Sequence, residues 1–302
     1  MMRFGLCCTF RNQDIRFRRT TATALGKLAR VDALRKVSGL CLHNAGSLSG
    51  ALAFCHAHGI GAFRVNSEIF PVKTHPAAGY EVDDLPDGAA IVSAFQGCGV
   101  YARDHDLRLS FHPDQFVLLS SPDPGITRRS VADLCYQAQV AEWVNADVIN
   151  IHGGGAYGDK QTALQRVRQR IETLPDAVRR RLTLENDDRT YTPSDLLPVC
   201  RDVGVPLVYD VHHHRCLGDG LSIEEATEAA LATWDREPLF HISSPKDGWG
   251  SADPKKHHDF IDPGDVPACW LDLDVTVEVE AKAKEAAIAR LMAALSGTTG
   301  VA

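Results

Sequence analysis

Long apolar runs are missing from this 302-residue chain. None approaches the roughly 20 residues that a membrane-spanning helix needs, so no span is expected. The opening stretch, MMRFGLCCTFRNQ, lacks both a signal peptide's long apolar segment and its small-residue cleavage site. A cytoplasmic location is the expectation. Paired cysteine motifs are absent too. The nine cysteines (7, 8, 41, 55, 98, 135, 200, 216 and 269) are odd in number, scattered, and include no C-x-x-C. In a reducing compartment they read as buried thiols, not as a disulfide framework. An excess of positive charge is also lacking, because 39 acids outnumber 32 bases and leave a net charge of −7. That argues against a chain that coats nucleic acid nonspecifically, since phosphate contacts need Lys and Arg.

The cations that exist are clustered. Arg16-Phe17-Arg18-Arg19, Arg128-Arg129 and Arg179-Arg180-Arg181 form short basic runs, and Lys246, Lys255 and Lys256 bracket one loop. A basic rim around an acidic interior reconciles local positive charge with a negative total.

Short apolar runs alternate with helical patterns along the chain. Arg3–Cys8, Gly61–Val65, Leu107–Phe111, Val148–Ile151, Arg181–Leu184, Pro206–Tyr209, Leu239–Ile242 and Val275–Val279 read as eight strands. Helical spacing is expected over Thr21–Val37, Ser47–His58, a segment ending at Arg103, Arg129–Val144, Gln161–Leu174, Ser194–Val203, Ile223–Trp234 and Ala281–Leu295. Eight such units predict an α/β fold, a single-domain (β/α)8 TIM barrel spanning residues 1–302 with a frayed tail over 296–302. No exposed apolar stripe points to an obligate partner, so a monomer is expected.

The chemistry lies at the strand ends. His112, His152, Glu185, Asp210, His241 and Glu280 close strands three to eight, spaced roughly 25 to 40 residues apart. That is near the roughly 31 residues per unit of a 250-residue barrel, whose active sites sit at the carboxyl ends of the strands. A lone histidine there is more often a hydrogen-bonded core residue than a ligand. Six consecutive strand ends each offering His, Asp or Glu are a different matter and predict a metal cluster. Carboxylate with imidazole, and no cysteine, suits Mn or Zn. More ligands are offered than one ion needs, so two or three divalent ions are expected, suited to in-line attack on a phosphodiester. Within His212-His213-His214, strand alternation is expected to send neighbours to opposite faces, so that His212 and His214 do not share the role of His213.

Seven segments together carry a resemblance to a known family: Arg64–Pro71 (RVNSEIFP), Ser110–Phe116 (SFHPDQF), Asn150–Gly154 (NIHGG), Leu184–Asp188 (LENDD), Tyr209–His214 (YDVHHH), Phe240–Ser244 (FHISS) and Glu280–Glu285 (EAKAKE). In this order and spacing, over nearly the whole chain, they resemble the ultraviolet damage endonucleases. The resemblance implies a barrel related to apurinic endonucleases and, more remotely, to xylose isomerase-like enzymes. It also implies incision of UV-damaged double-stranded DNA immediately 5′ to pyrimidine dimers, leaving a 3′-hydroxyl and a 5′-phosphate.

Carried over by position, the resemblance makes His112, His152, Glu185, Asp210, His213, His241, His257 and Glu280 the metal ligands. Mn2+ is the first choice, with Zn2+ and Mg2+ as alternatives. Glu185, Glu280, His112 and His241 are expected to carry catalysis, the two glutamates as bridges between ions. Gln115 and Phe116 match a pair inserted into duplex at the lesion, and Arg64, Lys246 and Lys256 are expected on the DNA-facing rim. Three positions depart from the pattern: Leu6 and Phe116 replace tyrosines frequent in relatives, and Leu239 replaces a lysine that can become a ligand. The competing reading is a metal-dependent sugar isomerase or epimerase, which would share barrel and metals but has no use for an apolar wedge.

Overall fold

The computed structural model describes residues 2–298. Its eight strands are β1 (Arg3–Cys7), β2 (Ala62–Val65), β3 (Arg108–Phe111), β4 (Val148–His152), β5 (Leu182–Glu185), β6 (Leu207–Asp210), β7 (Leu239–Ile242) and β8 (Thr276–Val279). They pair in parallel in sequence order, and β8 closes on β1, giving the expected TIM barrel. The connecting helices are α1 (Ala22–Leu25), α2 (Arg30–Ala57), α3 (Gly88–Asp104), α4 (Pro124–Val144), α5 (Lys160–Glu172), α6 (Asp176–Arg179), α7 (Pro193–Val203), α8 (Val211–Cys216), α9 (Ile223–Leu231) and α10 (Glu285–Thr298). Among the described residues no helix is long and apolar enough to cross a membrane.

Period-two alternation sorts each strand's side chains. Phe63, Phe111, Ile149, Leu184, Tyr209, Phe240 and Val277 face outward into one continuous core beneath the helices. The inward set is polar towards the carboxyl ends and apolar below. Val148, Val208 and Leu239 form a separate small cluster, partly covered by Trp234. Leu239 is therefore part of an apolar floor beneath the barrel mouth.

Four expectations need correction. Thr21–Val37 and Ser47–His58 are not two helices, since one helix runs through Arg30–Ala57 and only Ala22–Leu25 precedes it. The residues that read as a break are tertiary links: Ser38 donates to Asp87, and Asn44 bonds both Arg18 and the Ile69 carbonyl. The final helix begins at Glu285, not Ala281. Residues 296–298, expected to fray, continue α10, while 299–302 lie outside the described residues. His212–His214 belong to the short helix α8, so helical and not strand geometry distributes them.

Candidate metal centre

The inward polar residues meet at the carboxyl-terminal mouth, with Glu185 in the middle. At the end of β5 it is 1% exposed. Its Oε2 lies 2.9 Å from His112 Nε2 and accepts from the Asn150 amide at 2.5 Å. Its Oε1 lies 3.1 Å from His241 Nδ1 and 3.4 Å from His213 Nδ1. Burial alone would raise this carboxyl, but His241 and His152, with hydrogen bonds from His112 and His213, hold it well below the ordinary range. Asn150 is fixed in turn by Thr183 Oγ1 at 2.9 Å.

His152 closes β4 beside His112, their rings 5.0 Å apart. The glycines that follow it let the chain leave the strand tightly. Gly154 has φ +83 and lies against Ser120, so a side chain there would meet both backbone strain and a clash.

Asp210 ends β6 and caps α8, its Oδ1 accepting from the His213 N–H at 2.8 Å. One helical turn carries His213 back over the mouth, where its Nδ1 lies 3.4 Å from Asp210 Oδ2. The other two histidines of the run have different surroundings. His214 bridges the Tyr209 hydroxyl at 2.7 Å and Asp219 at 2.9 Å, a structural tie. His212 is buried, its ring 5.1 Å from both Trp249 and His257.

His257 lies in the long segment after β7, and a hairpin brings it to the site. Pro245 pairs antiparallel with His257, and the Lys246 N–H donates to the Lys256 carbonyl at 2.6 Å. His257 Nδ1 then stands 3.7 Å from Glu280 Oε2, while Glu280 Oε1 is 3.6 Å from His241 Nδ1. All eight residues expected as ligands therefore converge on one mouth.

Two residues nearby were not expected in these roles. Glu278, 1% exposed on β8, shares the inward face of Glu280 two residues on. It accepts from Ser110 and from Arg64, and its Oε2 lies 3.1 Å from His241 Nε2. Despite its burial, Arg64 and His241 lower its carboxyl to about 2. His241 lies between Glu185 and Glu278, and although burial and Arg64 oppose it, their charge raises its imidazole to about 10. Arg64 corrects an expectation. It is 7% exposed, pairs with Glu278 and lies 2.7 Å from Glu280, so it is a counter-charge inside the barrel and not a rim contact. Removing this guanidinium would leave the buried Glu278 carboxylate without its counter-charge, a costly change.

The set suits divalent cations. Buried polar atoms are normally hydrogen-bonded, yet Asp210 Oδ2 and His152 Nδ1 have no such partner. Ligand atoms of His112, His152 and Glu185 lie within 4.8 Å of one another, as do those of Glu185, Asp210 and His241. Glu185 belongs to both groups, the placement a bridging carboxylate needs.

Around this centre the rim is mixed. Gln115 is exposed and Phe116 is 73% exposed on the β3–α4 loop, three and four residues after His112. A ring so open to water is not a core position, which excludes the plain packing role for Phe116. Lys246 and Lys256 are exposed, the latter 3.0 Å from Asp253. Leu6, on the outward face of β1, is fully buried in the core.

The family model for UV-endonuclease UvdE matches residues 2–302. A UV DNA damage endonuclease of Bacillus velezensis is 38% identical over 293 residues, covering 92% of this chain and 88% of that protein. One of Bacillus pumilus is 37% identical, covering 82% and 79%. Among solved structures, the crystal structure of SacUVDE aligns over 100% of both chains with a TM-score of 0.88 at 24% identity. Endonuclease IV from Thermus thermophilus aligns over 99% and 100% with a TM-score of 0.63 at 16% identity. A D-psicose 3-epimerase covers 76% and 78% with a TM-score of 0.52 at 15% identity, which shows a shared barrel alone.

Proposed function

The chain belongs to the UV-endonuclease UvdE family, a family of DNA repair endonucleases acting on UV damage, and from that membership we propose how its site works. It nicks duplex DNA immediately 5′ to a photolesion, leaving a 3′-hydroxyl and a 5′-phosphate. His112, His152, Glu185, Asp210, His213, His241, His257 and Glu280 would hold two or three divalent ions, Mn2+ ahead of Zn2+ or Mg2+. Such ions supply an activated water and charge stabilisation for the leaving oxygen of a phosphodiester. The protein's own groups orient the ligands. Asn150 fixes one Glu185 oxygen, and Arg64 and Glu278 hold the β8 side of the cluster. Holding ligands in this way is worth about 10–100-fold in affinity or activity at comparable sites.

The observation that carries the reading is the sharing of one loop by His112 and the exposed pair Gln115-Phe116. A ring inserted into the stack can replace the stacking an extruded base gives up. The amide of Gln115 can donate to or accept from whichever bases lie opposite. A sugar epimerase shares the barrel but has no use for that pair. The enzyme works as a cytoplasmic monomer, with Lys246 and Lys256 on the DNA-facing rim.

Incubation with Mn2+ and a UV-irradiated duplex, beside an undamaged duplex, tests this. One nick 5′ to the lesion on the damaged strand is the expected product. An uncut damaged duplex, or equal cutting of both substrates, overturns the reading.

A further inference from the structure

At the ends of β1, β2 and β8 a cavity of about 370 Å3 is lined by Cys7 and Cys8 together with His257 and Glu280. Most other cysteines have a packing role. Cys41, Cys55, Cys98 and Cys200 lie in the apolar core, and Cys135 and Cys269 pack against it. Cys7 is 4% exposed and Cys8 half-buried, yet among the described residues neither belongs to an apolar cluster. Packing does not account for this pair.

The backbone is bent to bring the two thiols to one wall. Leu6 faces outward into the core, so alternation turns Cys7 inward and would return Cys8 to the side of Leu6. Instead the strand ends in a three-residue turn, closed by the Thr9 N–H donating to the Cys7 carbonyl at 2.8 Å. Cys8 is its middle residue at φ 63, the positive form of this turn, which is rare and strained. A non-glycine residue held there costs about 1–3 kcal/mol. The Cys8 N–H donates to the Arg64 carbonyl at 3.1 Å and so fixes the turn to β2. Two adjacent Sγ atoms, an imidazole and a carboxylate thus surround a single space.

Such donors sort cations by softness: carboxylates suit Mn2+ and Mg2+, whereas thiolates select Zn2+ and its heavier congener Cd2+. We propose that Cys7 and Cys8, with His257 as third donor, form a second metal site that takes a soft divalent ion of the Zn2+ or Cd2+ class. Two thiolates and an imidazole are an established zinc donor set, in which water takes the fourth position. Arg64 and three lysines also line the cavity, but they do not oppose the ion. Burial raises both thiols above their ordinary range, Cys8 to about 11, so each carries its proton beforehand. Binding forms two metal–sulfur bonds and releases two protons for one dication, which leaves the charge of the cavity unchanged. His257 is also one of the expected ligands of the carboxylate-centred cluster. A soft ion on the thiols therefore withdraws a donor from that cluster and slows incision, a step that rests on the reading above.

Reduced protein, freed of reductant and saturated with Mn2+, is titrated with Cd2+ while the ultraviolet charge-transfer band of a cadmium thiolate is followed. Cd2+ that merely replaces Mn2+ among carboxylates and imidazoles gives no such band. The band should rise in the wild type and in the control C135S/C216S, and should be lost in C7S/C8S. Circular dichroism checks the fold of that variant, and C8S alone, the less buried change, should lose most of the band too. At matching Cd2+ levels, Mn2+-dependent cutting of damaged duplex should fall as the band grows in the wild type and hold steady in C7S/C8S. No band in the wild type, or the same band in C7S/C8S, overturns the site. Equal loss of cutting in both proteins, or loss in neither, overturns the sharing of His257. A wild type that does not cut with Mn2+ alone fails the incision reading instead, and the band still decides the site.

Discussion

At the scale of single residues, Glu185 is where removal of one charge should matter most, because it lies in both groups of convergent ligand atoms. Glu185→Gln keeps the volume and the place beside Asn150 but removes the charge that two cations would share. Incision should fall by more than the roughly 10–100-fold typical of losing a group that only orients a ligand. Circular dichroism should remain that of the wild type, and wild-type cutting by this variant would remove Glu185 from the centre. Asp133 shows the opposite, purely structural, effect. Burial of this α4 residue raises its carboxyl from 3.8 to about 6, although Gln137 and Thr74 hydrogen-bond to it. Between those values the folded protein holds a proton that the unfolded chain has lost, so stability declines as pH rises from about 4 to about 6. Asp133→Asn should therefore melt above the wild type near pH 7.5, with the two converging near pH 4. Equal melting temperatures at both pH values would contradict the shift. Six of the eight candidate ligands were legible because strand ends can be read from a chain, whereas His213, on a helix, and His257, in the long segment after β7, came only from the resemblance. Glu278 was missed for want of one step. Thr276, Glu278 and Glu280 share a face by period two, so a glutamate in the middle of a strand was already a signal of a polar interior. Arg64 could not be read that way, because only its pairing with two distant glutamates shows it turned inward.

At the scale of elements, the strands were the most legible parts, each a short apolar run ended by a polar cluster. Helix α2 was not. Ser38, Asn44 and Gly46 look like breaks in a local reading, but Ser38 and Asn44 are fully buried and bonded across the fold. Tertiary partners override local propensity there. For α8 the helix start was written in the chain. Asp210, the last residue of β6, caps it three residues before His213, and that single turn brings two candidate ligands from adjoining elements onto the same mouth. The β3–α4 loop is the element whose function can be tested apart from the metals. Gln115→Ala with Phe116→Ala removes a ring whose stacking is worth about 1–3 kcal/mol per base. Cutting of damaged duplex should drop by roughly 5- to 150-fold while metal content is unchanged, since neither side chain touches a ligand atom. A double variant that cuts at the normal rate would move the wedge to another loop.

At the scale of the whole molecule, a net charge of −7 is compatible with a DNA substrate because of where the charges lie. Glu185, Asp210, Glu278 and Glu280 converge inside the mouth, whereas Lys246, Lys256, Lys282 and Lys284 stand around it. Carboxylates buried so close together are costly unless cations accompany them. Arg64 and His241 provide part of that compensation. The remainder links metal to the stability of the barrel, because an ion that binds the folded chain and not the unfolded one stabilises it by mass action. At a hundredfold excess over Kd the gain is about 2.7 kcal/mol per ion. For a domain of this size, about 2 °C per kcal/mol is the corresponding shift in melting temperature. Mn2+ added to chelator-stripped protein should therefore raise Tm by about 5 °C or more. In Glu185→Gln the same addition should raise it by clearly less. Thermal unfolding reads this without any DNA, so it separates the metal centre from the cutting assay. A stripped wild-type protein whose Tm does not respond to Mn2+, Zn2+ or Mg2+ would mean that Arg64 and the imidazoles neutralise the mouth by themselves.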